Sequence, residues 1–446
     1  MHHDCIFRPI NSYVNFYLHY FALCVHKYSV PKKRAYNGKV GLGMNKNETV
    51  LLVYSGGLDT SVCIPLMREE YGYKKVVTVT VDVGQDPADI AQASEKAKIL
   101  KTEHYTVDAK EEFTEKFCWS AVKANGNYQG YPMSTSIARP LIAAKAVEMA
   151  KKLGVTAFAH GCTGKGNDQY RIEFGIRSLM PNATIHAPVR ERNMTRSWEI
   201  EYAKEKGVPI QQSLNKIWSI DENLWGRSIE GGRLEEPDFA PPEEIFQWTK
   251  SVENSAGKPE TLKMTFKNGV PVAINGEKMS PAQLVLKMNE IAGAHGIGRI
   301  DIMEDRMMGL KVRENYECPA STVILKAHKA LENLVLTREE IRFKAIVDQE
   351  WSRMAYEGLW WDPLKTDLES FIDTTQKRVT GDVTLKLFKG QTTIVGRSSH
   401  WALYSEDLAS FDTTTFDQRE STGAVKNFGL QARMFHTLAE KYHKEM

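Results

Sequence analysis

Between Val50 and Gly207 short apolar runs alternate with amphipathic stretches of helical length, and few folds accept that alternation. Strands are expected at Val50–Tyr54, Val76–Val83, His104–Val107, Val155–His160 and Thr184–Pro188. Helices are expected between and after them at Thr60–Glu70, Pro87–Lys101, Glu111–Lys123, Ile137–Leu153, Gln169–Leu179 and Thr195–Lys206. Asp86-Pro87 marks a helix start, Ser136 can cap another, and Gly154 and Gly207 follow helix ends. Strands alternating with helices of this length form a parallel sheet covered on both faces. Residues 44–210 are therefore expected to form an α/β, doubly wound parallel-sheet domain.

After Pro209 the pattern changes. Asn268-Gly269, between Leu262–Phe266 and Val270–Ile274, is a strong hairpin signal. A helix at Ala282–Ala294, a strand at Arg299–Met303 and helices at Ala320–Leu334 and Arg338–Gly358 follow. A Thr337…Glu340 capping box announces the last of these. A second hairpin, Val383–Phe388 with Thr392–Val395, turns at Gly390. This predicts an α+β domain over residues 211–420 and an amphipathic helical arm over 421–446. A chain of 446 residues is too long for one ordinary core, which agrees with two domains.

Residues 1–43 are different in character, rich in Tyr, Phe and His. Their most apolar run, Tyr13 to Val25, contains Asn15 and His19 and is too short and polar to span a bilayer. It also lacks the positive start and cleavage site of a signal peptide. The favoured reading is an extension that is not native, with Met44 as the initiator; an arm docking on a neighbouring subunit is the alternative.

Lys+Arg 58 against Asp+Glu 56 leaves a formal charge of +2, so no nucleic acid is expected as the main partner. No membrane partner is expected either. Cys5, Cys24, Cys63, Cys118, Cys162 and Cys318 are scattered without a Cys-x-x-Cys pair, which argues against zinc or a disulfide framework and fits a reducing cytoplasm.

The apolar run Val50–Tyr54 delivers the chain to Ser55-Gly56-Gly57-Leu58-Asp59-Thr60-Ser61, followed by a helix. The glycines let the backbone turn sharply and leave N–H groups uncovered, an anion nest. The helix N-terminus and the hydroxyls of Ser55, Thr60 and Ser61 add donors and partial positive charge. A plain strand–turn–helix with Asp59 as N-cap accounts for the same residues. A carboxylate beside a phosphate nest otherwise needs a shared magnesium ion. Neither a Walker loop nor a dinucleotide fingerprint is present.

A second constellation, His160 to Arg171, follows a strand and leads into a helix. In a doubly wound fold that is the carboxyl edge of the sheet, where ligands bind. Thr163, Asn167, Asp168 and Arg171 offer a hydroxyl, an amide, a carboxylate and a guanidinium, a set suited to a zwitterionic amino acid. A solvated, glycine-rich surface turn is the bland alternative. Gly130 to Pro140 opens another helix, and on chemistry alone its hydroxyls are better read as caps than as ligands.

The loop Ser55–Ser61 resembles the pyrophosphatase loop of N-type ATP pyrophosphatases, adenine nucleotide alpha hydrolase-like enzymes that split ATP into AMP and pyrophosphate. Tyr131 with Thr135-Ser136, Thr163–Arg171, Trp218–Asn223, and Gly298–Arg306 leading to Tyr316-Glu317 extend the likeness. In that order they resemble the argininosuccinate synthase family, from about Val50 to near Gly429.

The resemblance implies a nucleotide-binding domain, a synthetase/oligomerisation domain and a helical arm that helps build a homotetramer. It implies joining citrulline to aspartate with ATP, giving argininosuccinate, AMP and pyrophosphate. Val53, Tyr54, Ser55, Gly56, Gly57, Leu58, Asp59, Thr60, Ser61, Val81 and Gly161 would bind ATP. Tyr131, Ser136, Asn167, Arg171, Ser219, Ser228, Glu304 and Tyr316 would hold citrulline. Thr163, Asn167 and Asp168 would hold aspartate. Asp59 and Asp168 are the candidate catalytic residues; Mg²⁺ would arrive with ATP, with Asp59 as its one candidate protein contact. Val81 stands for the family's usual alanine and Ser134 for a glycine.

A ureido oxygen is a poor nucleophile on an unreactive carbon, and adenylation makes AMP a leaving group there. The nest would hold departing pyrophosphate, largely by positioning and charge. Asp168 is a binder of the aspartate amine first and a base second, since an ordinary carboxylate is a weak base. The rival readings are another ligase on this loop, such as a tRNA-modifying enzyme, and a non-catalytic adenine-nucleotide sensor.

Overall fold

Val50, Leu51 and Leu52 are fully buried, and alternation along a strand sends them to opposite faces. Leu51 joins a cluster with Phe113, Ile137 and Leu141, whereas Val50 and Leu52 join another with Val62, Leu66 and Ala97. Such a strand must be central in a sheet covered on both sides. The computed structural model, which describes residues 49–209 and 218–442, shows this arrangement. The expectations for residues 1–43 lie outside the described residues, as does the end of the arm at 443–446.

Strands β1 (Thr49–Val53), β2 (Lys75–Asp82), β3 (Glu103–Asp108), β4 (Ala157–His160) and β5 (Thr184–His186) pair in parallel in the order β3-β2-β1-β4-β5. The chain winds outward from β1 to β3 and then returns to the other side of β1. The reversal falls between β1 and β4, where Val53 pairs with His160. Helices Leu58–Glu69, Pro87–Ile99, Ser134–Leu153, Asp168–Leu179 and Arg196–Glu205 lie close to the expected spans.

Several expectations need correction. Strand β4 starts at Ala157 rather than Val155, because the Val155 N–H closes the preceding helix on the Ala150 carbonyl at 2.9 Å. β5 ends at His186, since Pro188 already opens a short helix. Ser136 is not a cap: the helix begins at Ser134, and the Ser136 hydroxyl donates to the Met133 carbonyl at 3.0 Å. The helix over Lys110–Lys123 carries a π-helical segment, Phe113–Cys118, which no apolar spacing announces.

In the second half, β6 (Ser219–Asn223), β7 (Gly226–Glu230), β11 (Arg299–Asp305) and β12 (Lys311–Glu317) form an antiparallel sheet ordered β11-β12-β7-β6. A second sheet has the order β10-β9-β8-β13-β14, with β8 (Glu260–Lys267), β9 (Val270–Ile274), β10 (Glu277–Lys278), β13 (Gly381–Phe388) and β14 (Gln391–Ser398). Asn268 (φ +51°) and Gly269 (φ +80°) make the expected tight turn between β8 and β9.

Helices Pro281–Ala294, Pro319–Val335 and Arg338–Tyr356 match their expected positions, and Thr337 with Glu340 forms the capping box. The helix Pro363–Gln376 was not expected, although Asp362-Pro363 opens it as Asp86-Pro87 opens another. The arm is two helices, Ser421–Asn427 and Leu430–Tyr442, broken at Gly429 (φ +72°); neither has a buried residue. One hydrophobic cluster includes Leu51 and Ile137 from the first half and Val323, Trp351 and Leu385 from the second.

Candidate active site

Two glycine-containing loops leave the carboxyl ends of adjacent strands at the switch point, Ser55–Gly57 from β1 and Gly161–Asn167 from β4. They touch. A Cβ on Gly161 would lie 2.9 Å from Thr60 Cγ2 and 3.0 Å from the Thr60 nitrogen. Gly56 has φ +75°, and a Cβ there would come within 2.8 Å of Ala93 Cα. The Leu58–Glu69 helix has Gly57 at its N-cap and no side-chain cap, so its first-turn N–H groups stay available to an anion.

The hydroxyls around this nest divide into two kinds. Ser55 Oγ and Thr60 Oγ1 lie 3.2 Å apart at the exposed mouth. Ser61 is buried and shares a 3.1 Å hydrogen bond with the Tyr54 hydroxyl, so it secures the loop from below. Val53 and Leu58 are half-buried. Val81, at the end of β2, has its side chain in the core beside Val79 and Val83. Asp59 is not the N-cap; its Oδ1 accepts from Arg196 Nη1 at 3.1 Å. Beneath it, burial and the Asp59 carboxylate push the Glu199 carboxyl up to about 7.

The second loop carries Asp168 between two guanidiniums. Arg139 Nε donates to Asp168 Oδ2 at 2.8 Å and Arg171 Nη1 to Oδ1 at 3.0 Å. Burial alone would raise Asp168, but Arg139 and Arg171 together hold its carboxyl below the usual range. Arg139 also pairs with Asp221 of β6, tying the helix Ser134–Leu153 to the antiparallel sheet.

That sheet supplies the facing wall. Tyr316 on β12 stacks on Tyr131 with ring centroids 4.0 Å apart, and its hydroxyl donates to Glu304 Oε2 of β11 at 2.7 Å. The Tyr131 hydroxyl accepts from the Thr135 N–H at 2.7 Å. Ser228 of β7 pairs with Tyr316 in register on one side and with Asp221 on the other. Asn167 is buried, with Oδ1 accepting from the Met307 N–H at 3.1 Å. Tyr131, Asn167, Asp168, Arg171, Ser228, Glu304 and Tyr316 thus come together around one wall and one loop. Ser219 and Thr163 are exposed at its edge, and Ser136 is turned into its own helix.

The arginosuccinate synthase N-terminal HUP domain matches residues 49–209, and the arginosuccinate synthase C-terminal domain matches residues 218–435. An argininosuccinate synthase of Methanosarcina mazei is 58% identical over 392 residues, covering 88% of this chain and 99% of that protein. The chain belongs to the argininosuccinate synthase family. A second relative of that name, from Methanocaldococcus jannaschii, is 59% identical over 387 residues, 86% of this chain and 97% of its own length. A solved structure titled as a tRNA methyltransferase subunit from the same organism aligns with 35% of this chain and 75% of its own at TM-score 0.28 and 21% identity, too slight a likeness to carry an argument.

As a member of this family of ligases, the chain carries site residues that motif reading passed over. Lys96 Nζ donates to the Gly56 carbonyl at 2.8 Å, bringing a cation to the nest from the second helix. Arg139 and Asp221 lie within the recognised motifs but had no expected role; Arg139 bridges Asp168 and Asp221, linking the helix Ser134–Leu153 to β6. Tyr356, from a helix more than a hundred residues beyond the motifs of the first domain, lies within hydrogen-bond reach of Asn167 at 2.8 Å. Thr135 Oγ1 is buried with no hydrogen-bond partner among the described residues, beside Tyr131.

Proposed function

We propose that this chain condenses L-citrulline with L-aspartate, consuming ATP and releasing argininosuccinate, AMP and pyrophosphate through a citrullyl-adenylate. The observation that carries the reading is the contact between the Ser55–Ser61 loop and the Gly161–Arg171 loop at one switch point. It sets a phosphate-holding nest next to an amino-acid-binding cluster.

In the first step the citrulline ureido oxygen attacks the α-phosphorus and pyrophosphate leaves, retained by the uncapped helix N-terminus, Ser55 and Thr60. Magnesium fits as a companion of the nucleotide phosphates: Asp59 is a partly exposed carboxylate at the mouth of the nest. Bound there, the ion would neutralise charge on the leaving group. In the second step the aspartate ammonium passes a proton to a phosphate oxygen of the adenylate, and the resulting amine attacks the activated carbon as AMP departs. Asp168, held ionised by Arg139 and Arg171, receives the aspartate ammonium as a charge partner and is a poor proton acceptor. Tyr131, Asn167, Arg171, Glu304 and Tyr316 form the citrulline side, and Ser136, Ser219 and Ser228 are assigned to it through the family likeness.

The arm supports a homotetramer. Leu430, Met434, Phe435 and Leu438 are exposed on a helix with no buried residue, an apolar face that a further copy of the chain would cover. Sedimentation of the full chain and of one ending at residue 420 tests this: a tetramer is expected from the first and a smaller species from the second. No helix among the described residues is long and apolar enough to cross a membrane, and the proposed location is the cytoplasm. The decisive assay for the activity supplies ATP, Mg²⁺, citrulline and aspartate and measures AMP and pyrophosphate with each amino acid omitted in turn. Argininosuccinate formed only when both are present is expected; AMP release indifferent to either would defeat the reading.

A further inference from the structure

Tyr356 ends the helix Arg338–Tyr356, and the chain turns away at Gly358 with φ +82°. A Cβ at Gly358 would lie 2.8 Å from Arg171 Cα, so only glycine lets this helix end press against the helix Asp168–Leu179. The Tyr356 carbonyl accepts from Arg171 Nε at 2.9 Å, and the Arg171 guanidinium lies 5.0 Å from the centre of its ring. The ring is 1% exposed and stacks on Tyr128 at 3.5 Å between centroids. These contacts leave the phenol no alternative position.

Its hydroxyl has one proton and two acceptor sites. The proton goes to Glu304 Oε1, and Asn167 Nδ2 donates to the oxygen at 2.8 Å. Burial and the Glu304 carboxylate push the Tyr356 phenol up, so it stays a donor at any physiological pH. Asn167 is thereby held at both ends, Nδ2 on Tyr356 and Oδ1 on the Met307 N–H, and its amide has one facing. It keeps one N–H and one lone pair for a ligand. Glu304, fixed by the Tyr316 and Tyr356 phenols, likewise keeps lone pairs directed elsewhere.

We propose that Tyr356 is a positioning residue for the condensation, its hydroxyl anchoring at once the NH₂ end of the Asn167 amide and the Glu304 carboxylate. This rests on the assignment of Asn167 and Glu304 to the amino-acid substrates made above. Removal of the hydroxyl alone leaves the Asn167 amide held only at Oδ1 by the Met307 N–H, so its NH₂ loses the acceptor that fixes it, and leaves Glu304 with one phenol.

The test is Tyr356→Phe, which keeps the ring, its stack and the contact with Arg171. Tyr128→Phe is its comparison, because it takes from the same stack a hydroxyl that donates to the Asp305 carbonyl at 2.8 Å, an oxygen Tyr356 also approaches at 3.2 Å, while leaving the Tyr356 bonds to Asn167 and Glu304 in place. Measured as citrulline-dependent exchange of pyrophosphate into ATP, Tyr356→Phe should raise the citrulline KM about tenfold or more, with the ATP KM within about twofold of wild type. Tyr128→Phe should leave the citrulline KM near wild type. In an Asn167→Ala background the Tyr356→Phe effect should shrink, because the coupled partner is gone. An unchanged citrulline KM in Tyr356→Phe overturns the proposal. So does a rise shared equally by ATP and citrulline, or matched by Tyr128→Phe, since either marks a general loss of packing. A wild-type chain with no citrulline-dependent exchange overturns the function itself, and this inference with it.

Discussion

Asp59 and Arg196 meet at 3.1 Å although 137 positions separate them in the chain. The pair spans the mouth of the phosphate loop, one member from the helix that follows β1 and the other from the first turn of Arg196–Glu205. Arg196 is well exposed and Asp59 partly so, and such a solvated pair adds little to stability, on the order of 0–1 kcal/mol. Its position at the nest is the reason to look for its effect in catalysis.

Asp59→Asn is therefore expected to abolish pyrophosphate release while leaving the melting temperature close to wild type. A coupled pyrophosphate assay beside a thermal melt separates the two. Near-normal turnover would count heavily against the role given to this loop.

Asp168→Ala is expected to raise the aspartate KM by about tenfold or more while citrulline-dependent exchange of pyrophosphate into ATP persists. The carboxylate sits between Arg139 and Arg171, so its loss leaves the ammonium of aspartate without its partner. If exchange disappears as well, Asp168 acts in the first step.

The Glu199 carboxyl, beneath Asp59, is raised by burial from an ordinary value near 4.5 to about 7. Between those values the folded chain holds a proton that the unfolded chain has lost, so stability falls as pH rises through the interval. Glu199→Gln should flatten that slope by up to about 3 kcal/mol. Urea midpoints at pH 5 and pH 8 for both proteins check this, and parallel profiles would show that Glu199 titrates as an ordinary carboxyl.

Glu317, fully buried, accepts from Arg227 at 2.8 Å, from the N–H groups of Gln247, Trp248 and Thr249, and from the Thr249 hydroxyl. Glu317→Ala leaves Arg227, itself buried, with the Ile245 carbonyl at 2.7 Å and Glu222 at 3.3 Å but without its buried counter-charge. A loss of about 3–5 kcal/mol in urea unfolding is expected, because breaking a buried pair leaves an uncompensated charge. A variant as stable as wild type would mean that water reaches Arg227.

The parallel sheet was legible because β1 is a continuous apolar run and β2 a run of Val and Thr, both strong strand formers, and the sheet's helices announce themselves with Asp86-Pro87 and Gly154. Of the sheet that faces the site only β11 was, as the strand expected at Arg299–Met303. Strands β6, β7 and β12 read SIDEN, GRSIE and KVRENYE, so charged side chains mask the alternation a half-buried strand ordinarily shows. Their polarity has a physical cause: Arg227, Glu314 and Glu317 are buried by pairing, and Ser228 and Asp221 face the amino-acid loop. Motif likeness assigned Glu304 and Tyr316 to citrulline and gave Glu317 no role; only the packing shows that Glu317 braces the sheet while Glu304 meets Asn167 through Tyr356.

The residues alone determined that a glycine-bearing loop follows the first strand, that a second follows a later one, and that each suits an anion or a zwitterion. Local chemistry sufficed, because glycine conformations, helix N-termini and hydroxyl donors are properties of a few consecutive residues. Only the tertiary structure decided what Asp59 does. The Gly57 cap excludes it from capping, and Arg196 arrives to pair with it from a helix beyond β5. Tyr356 became part of the site in the same way, because Gly358 lets a distant helix end close on Arg171. Pairings between groups so far apart in the chain depend on packing, and spacing along a sequence does not encode them.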